Sequence, residues 1–134
     1  MQRVYTTSND DRSKLRLMSE IAIAYGGLPW FRSLSARICE GLNGYQRGLV
    51  GERLCSWVRD TIRYWREAGE QLQTPLQTLR ERFGDCDDLV ILAGALLASA
   101  DVPWRFAYRG TPIDHIWIEC QDERGKWKAF ELTA

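Results

Sequence analysis

Gly84-Asp85-Cys86-Asp87-Asp88-Leu89 opens a stretch that continues without a charge through Val90-Ile91-Leu92-Ala93-Gly94-Ala95-Leu96-Leu97-Ala98-Ser99. From Leu89 to Ala98 every residue is apolar or small, which reads as a helix buried on all sides. Asp85 is a good N-cap, and Asp88, three residues on, completes an Asp-x-x-Asp variant of the capping box. Cys86 then falls in the first turn, where unpaired amides and the helix dipole favour an anion. Thiols so placed can have pKa values of roughly 3.5–7.5 instead of about 8.5. The flanking carboxylates push the other way, so a cationic partner is needed. His115 is the chain's single histidine and must be that partner if there is one.

Outward from this helix the pattern splits. Before it, Leu15, Leu17, Met18, Ile21, Ala22 and Tyr25 recur at helical spacing over 11–25, and Gly26-Gly27 stops the run. Pro29 suits the first position of a second helix with Trp30, Leu34, Ile38 and Leu42 on one face. A third is expected from about Leu49 to Trp65, turning Leu54, Trp57, Val58, Thr61, Ile62 and Trp65 inward. Residues 1–9 read as a polar lead-in, with Ser8, Asn9 and Asp10 as capping candidates. The segment 67–75 reads as a loop, and Pro75 starts a short helix reaching towards Phe83.

After the cysteine helix the period changes to two. Trp104–Tyr108, His115–Cys120 and Lys126–Leu132 are the expected strands, with Gly110-Thr111-Pro112 and Asp122-Glu123-Arg124-Gly125 as turns. The fold class is α+β, in which the cysteine helix packs on an antiparallel meander. A single domain over 1–134 is expected, with a helical half at 1–66 and a core at 67–134.

Composition narrows the classes of function. Apolar residues make up 45%, so the chain can build an ordinary globular core. Eighteen basic residues balance eighteen acidic ones, which argues against a nucleic-acid or anionic-membrane partner. No secretory signal and no membrane-length apolar run is apparent, so a cytoplasmic location is expected. Cys39, Cys55, Cys86 and Cys120 form no CxxC pair and there is one histidine, which disfavours a zinc site. Free buried thiols are the better reading. Asp85, Asp87 and Asp88 are eligible oxygen ligands for calcium, although capping and dipole compensation account for them first. No cofactor is expected.

Cysteine nucleophilic catalysis needs a thiolate, a base that makes it and a group that orients the base. Cys86 and His115 supply the first two, and Glu131 on the next strand is the candidate for the third. Register decides whether it qualifies. If residues 121 and 125 close the hairpin, paired positions sum to 246, and His115 stands opposite Glu131 on one face. A four-residue loop gives 247 and turns the carboxylate to the other face, so the triad requires an odd loop.

Thr74-Pro75-Leu76-Gln77-Thr78-Leu79, Gly84-Asp85-Cys86-Asp87-Asp88, Val102-Pro103-Trp104-Arg105-Phe106, His115-Ile116-Trp117-Ile118-Glu119 and Trp127-Lys128-Ala129-Phe130-Glu131-Leu132-Thr133 resemble the transglutaminase-like superfamily. Its members share a papain-like core and a Cys-His-Asp triad for acyl transfer from amides. The resemblance covers the chain from about Thr61 onward, and the layout as a whole is similar to small bacterial phage and prophage members. It implies Cys86 as nucleophile, His115 as base and Glu131 in place of the usual aspartate, with Asp114 and Glu119 as alternatives for the third role. The Cys86 amide is one natural oxyanion donor. The family usually adds an upstream side chain, for which Gln73, Tyr64, Trp65 and Trp57 are all eligible.

The leading expectation is a cysteine hydrolase acting on an amide or peptide bond through a thioester, with a peptide or protein as substrate. A protein-glutamine transglutaminase using the same residues comes second. A non-catalytic peptide-binding or phage-structural module comes third.

Overall fold

The computed structural model describes residues 3–5, 11–66 and 71–133. In chain order these form β1 (Arg3–Tyr5), α1 (Asp11–Gly26), α2 (Pro29–Ile38), α3 (Arg47–Thr61), β2 (Arg63–Tyr64), β3 (Gln71–Gln73) and α4 (Pro75–Glu81). Then come β4 (Phe83–Gly84), α5 (Cys86–Ser99), β5 (Trp104–Arg109), β6 (His115–Gln121) and β7 (Trp127–Phe130). The α+β expectation holds.

Helix α5 is the axis of the molecule. Everything from Asp88 to Leu97 is buried, because α1, α2, α3 and α4 surround one side and β5 and β6 cover the other. Helices this apolar are stable only where no face meets water. Gly26 lets α1 lie close: a Cβ there would stand 2.7 Å from the Ala95 carbonyl oxygen and 2.8 Å from the Ala98 Cβ. At its far end α5 stops on Asp101, left-handed at φ 59°, with the Val102 amide donating back to the Leu97 carbonyl at 3.0 Å. That is a Schellman-type stop with buried Val102 as its apolar plug.

Strands β5, β6 and β7 form an antiparallel meander in that order. Along β6, Ile116, Ile118 and Cys120 are buried against the helices, while His115, Trp117 and Glu119 alternate onto the opposite face. All four cysteines are free thiols. Cys55 and Cys120 are both buried, on elements that pack together, α3 and β6.

Several expectations need correction. The lead-in contains β1, which pairs antiparallel with β3, so a strand also lies in the expected loop at 67–75. The capping candidates Ser8, Asn9 and Asp10, and residues 67–70, lie outside the described residues. Helix α3 ends at Thr61. Ile62 is extended, and Arg63-Tyr64 pairs in parallel with Phe83-Gly84, so Trp65 is 58% exposed instead of facing inward. On α2 the buried positions are Phe31 and Ser35, and Trp30 is 55% exposed. Helix α4 stops at Glu81 because Arg82 takes a left-handed C-cap conformation (φ 62°) that turns the chain into β4.

The β6–β7 register is also displaced. Ile118 pairs with Phe130 and Gln121 with Trp127, so paired positions sum to 248. The loop still has three residues between its last hydrogen-bonded pair, the Asp122 amide donating to the Lys126 carbonyl at 2.9 Å, but it has slid one residue onward. The cause is Asp122, whose carboxylate accepts from the amides of Arg124 and Lys126, both at 2.9 Å. That makes Asp122 the last residue before the turn and sets Gly125 at the left-handed position, φ 78°. Among the described residues, no helix is long and apolar enough to cross a membrane.

Candidate active site

The site is assembled where the first turn of α5 meets the start of β6. The capping box forms as expected: the Asp88 amide donates to Asp85 Oδ1, and the Asp85 amide donates to Asp88 Oδ2, both at 3.1 Å. Asp88 is wholly buried, and its other oxygen accepts from the Gln73 amide at 2.7 Å. One carboxyl thereby joins the helix start to β3. Gly84 makes room for it, since a Cβ there would lie 2.7 Å from the Asp88 Cβ. Burial, reinforced by neighbouring Asp85, pushes the Asp88 carboxyl up to about 8.

Cys86 follows at the first helical position. The backbone amides of Ile116 and Asp87 favour its thiolate. Burial and the carboxylates of Asp87 and Asp85 outweigh them and push the thiol up to about 11. The flanking acids push as expected, and together with desolvation they outweigh the helix terminus. Asp87 is itself neutralised by Lys14, with Nζ 2.8 Å from Oδ2.

His115 opens β6, one residue before Ile116. Its Nε2–H donates to Glu131 Oε2 at 2.6 Å. Glu131 Oε1 accepts from the Thr133 hydroxyl at 2.8 Å and the Thr133 amide at 3.2 Å. Burial tends to raise the Glu131 pKa, but the bonds from His115 and Thr133 prevail and hold it below the usual glutamate range. An ionised carboxylate on Nε2 fixes the tautomer and leaves Nδ1 as the basic nitrogen. The Trp117 ring lies beside the imidazole, 5.8 Å between centroids.

The other candidates for the orienting role are held elsewhere. Asp114 is paired with Arg109 at 3.4 Å and Glu119 with Arg105 at 2.7 Å. Of the eligible oxyanion donors, Gln73 is wholly buried, its Oε1 accepting from the Thr78 hydroxyl at 2.8 Å and its Nε2 donating to Glu81 at 3.4 Å. Trp57 packs half-buried on the core. Tyr64 and Trp65 are exposed beside β4, where the Trp65 amide donates to the Gly84 carbonyl at 2.8 Å. The Cys86 amide, at the helix start, has no acceptor within its own helix. The acids considered for calcium do not fit a shared cation: Asp85 and Asp88 face each other in the capping box, and Asp87 faces Lys14.

Two residues of α1 complete the frame and carry no sequence signal. The Ile113 amide donates to Asp11 Oδ2 at 3.2 Å, two residues before His115, while Lys14 grips Asp87, one residue after Cys86. Thr133 was equally invisible, because its role depends on where the chain ends its third strand.

The family model of the transglutaminase-like superfamily matches residues 34–132. No curated protein matches the sequence. Two solved structures are similar in fold. A candidate cysteine protease from Cytophaga hutchinsonii aligns at 21% identity and a TM-score of 0.62, over 76% of this chain and 36% of that one. A candidate protease from Parabacteroides distasonis aligns at 10% identity and a TM-score of 0.68, over 88% of this chain and 26% of that one. The chain thus spans about a third or less of the length of either neighbour.

Proposed function

Because this chain belongs to the transglutaminase-like superfamily, we propose that it is a cysteine-dependent acyl-transfer enzyme that hydrolyses an amide or peptide bond. The observation that carries the reading is the Glu131–His115 pair at 2.6 Å, at the start of the strand that packs on the helix opened by Cys86.

The chemistry follows from the proton positions. With the thiol held up to about 11, the resting nucleophile is neutral and His115 acts as a general base on attack. Nδ1 takes the thiol proton as Sγ adds to the substrate carbonyl, and Glu131 stabilises the imidazolium. The tetrahedral oxyanion is served by the Cys86 amide and the positive end of α5. The same imidazolium gives its proton to the departing amine, the C–N bond breaks and a thioester remains. Water then adds with His115 again as base, releasing the acid and restoring the thiol.

Hydroxylamine tests this directly. A peptide mixture incubated with the protein should yield new carboxylates in plain buffer and acyl hydroxamates when hydroxylamine intercepts the thioester. Both should vanish in Cys86→Ala. A Cys86→Ala protein with undiminished hydrolysis would overturn the reading. Preferential transfer to a primary amine over water would move it to transamidation, and no product with any peptide would favour a binding module.

A further inference from the structure

The surface beside the entry to α5 is basic. Arg59 on the last turn of α3, Arg63 on β2, Arg66 just beyond it, Arg80 in the last turn of α4 and Arg82 before β4 are all exposed. The parallel pairing of β2 with β4 gathers them, with Arg63 level with Phe83 and its amide donating to the Arg82 carbonyl at 2.9 Å. A cavity of about 570 Å³ opens there, with Arg59, Arg63 and Arg82 in its wall beside Asp60 and Glu81.

Two acids share this wall, and among the described residues neither forms an ion pair with Arg63 or Arg82. Asp60 pairs with Arg59 at 3.4 Å, and Glu81 accepts from the side-chain amides of Gln73 and Gln77 at 3.4 and 3.3 Å. Among the described residues, Arg63, Arg66, Arg80 and Arg82 make no ion pair. In a chain of zero formal charge, three arginines against two acids leave this concave surface net positive, which favours an incoming anion. Tyr64 and Trp65 stand exposed between Arg63 and Arg66 and offer apolar surface alongside the charge.

Distance ties this face to the nucleophile. Arg63 is level with the third residue before Cys86 and Arg82 is the fourth before it. At roughly 3.3 Å per residue along the chain, with about 4.8 Å between strands for Arg63, neither backbone lies more than about 13–15 Å from that of Cys86. An extended substrate covers that span in about four residues. We infer that the arginine face selects peptides carrying Asp or Glu within about four residues of the amide attacked by Cys86, with Arg63 and Arg82 as the principal contacts. This rests on the cysteine-hydrolase reading for its orientation, but the surface can be tested without it.

Two peptidyl chloromethyl ketones of equal length serve as probes, one with three aspartates before the ketone and one with three alanines. Labelling of Cys86 is followed by mass spectrometry. The aspartate probe should label about tenfold faster at low salt, with the advantage fading as ionic strength rises. In Arg63→Gln/Arg82→Gln the two probes should become equal while the alanine rate stays unchanged. Equal rates in the native protein, or a preference that survives the double substitution, would overturn the inference.

A fluorescein-labelled aspartate peptide without the ketone, bound to Cys86→Ala, reads the surface even if neither ketone labels Cys86. Saturable binding abolished by the double substitution supports the inference, and absence of binding overturns it. Tighter binding of a short oligothymidylate would also overturn it, assigning the face to nucleic acid.

Discussion

Glu131 reaches His115 on a diagonal. Continuing the β6–β7 register sets Glu131 opposite Trp117, two residues along from His115, and yet the carboxylate meets Nε2 at 2.6 Å. Diagonal neighbours on one face of a sheet are about 7–8 Å apart, further than direct partners. The extra methylene that distinguishes glutamate from aspartate spans that difference.

It follows that Glu131→Asp will not behave as a conservative change. The shortened carboxylate falls short of Nε2, and a misplacement of about 1 Å in a catalytic array can cost on the order of 100-fold. Glu131→Gln keeps the length but loses the charge and lets His115 adopt the wrong tautomer, with an expected loss of roughly 10⁴-fold in turnover. Single-turnover acylation rates for the two variants check both expectations, provided that circular dichroism shows the fold intact.

Thr133 holds the far oxygen of the same carboxylate. Thr133→Val removes the hydroxyl donor and leaves the amide, so the Glu131 pKa should rise towards the ordinary glutamate value. The carboxyl titration of Glu131, followed by carbon-13 NMR, then moves to higher pH, and Thr133→Ser restores it. A titration unchanged by Thr133→Val would show that the hydroxyl does not hold the carboxylate.

Asp87 raises the Cys86 pKa through its charge. Asp87→Asn removes that charge and releases Lys14 from its partner, and both changes favour the thiolate. Alkylation of Cys86 by iodoacetamide at pH 8 should accelerate by roughly tenfold, about one unit of pKa. Lys14→Met should slow it. Mass-resolved labelling of the four cysteines separates Cys86 from the others.

Asp88 makes stability depend on pH with an unusual sign. Its folded pKa of about 8 exceeds the unfolded value of about 3.9, so between these limits the folded state binds the extra proton. Its contribution to stability is full below pH 4, falls as pH rises and levels off above 8. Urea midpoints measured from pH 5 to pH 8 should decline more steeply in the native protein than in Asp88→Asn.

The parts of this architecture that were legible in sequence were those written locally. Asp85 and Asp88 bracket Cys86 within one helical turn, and ten consecutive apolar residues announce burial without reference to any partner. Strands β5 and β6 carry their own alternation. Strands β1 and β3 hold three residues each and lie almost seventy positions apart, so neither has a period to detect. The Arg63–Tyr64 strand was read as helix because Thr61, Ile62 and Trp65 continue a helical spacing; only its pairing with Phe83-Gly84 ends it. At the β6–β7 turn, parity was set by the need to bring two side chains to one face. The exact pairing depended on the Asp122 carboxylate choosing the Arg124 and Lys126 amides. The balance at Cys86 between helix terminus and flanking acids is open in sequence for a related reason, since a terminus can be seen there but the depth of its burial cannot.

Asp11 and Lys14 occupy a single turn of α1 and hold one residue on each side of the reacting pair. That turn works as a shared latch. Unwinding it would release the loop before His115 and the flank of Cys86 together, so base and nucleophile would lose their alignment in one event. The least stable turn of a helix is usually its first, where the fewest backbone bonds are made. A binder that steadied residues 11–14 would tighten the proposed site from outside it, and one that peeled them back would loosen Cys86 and His115 without touching either.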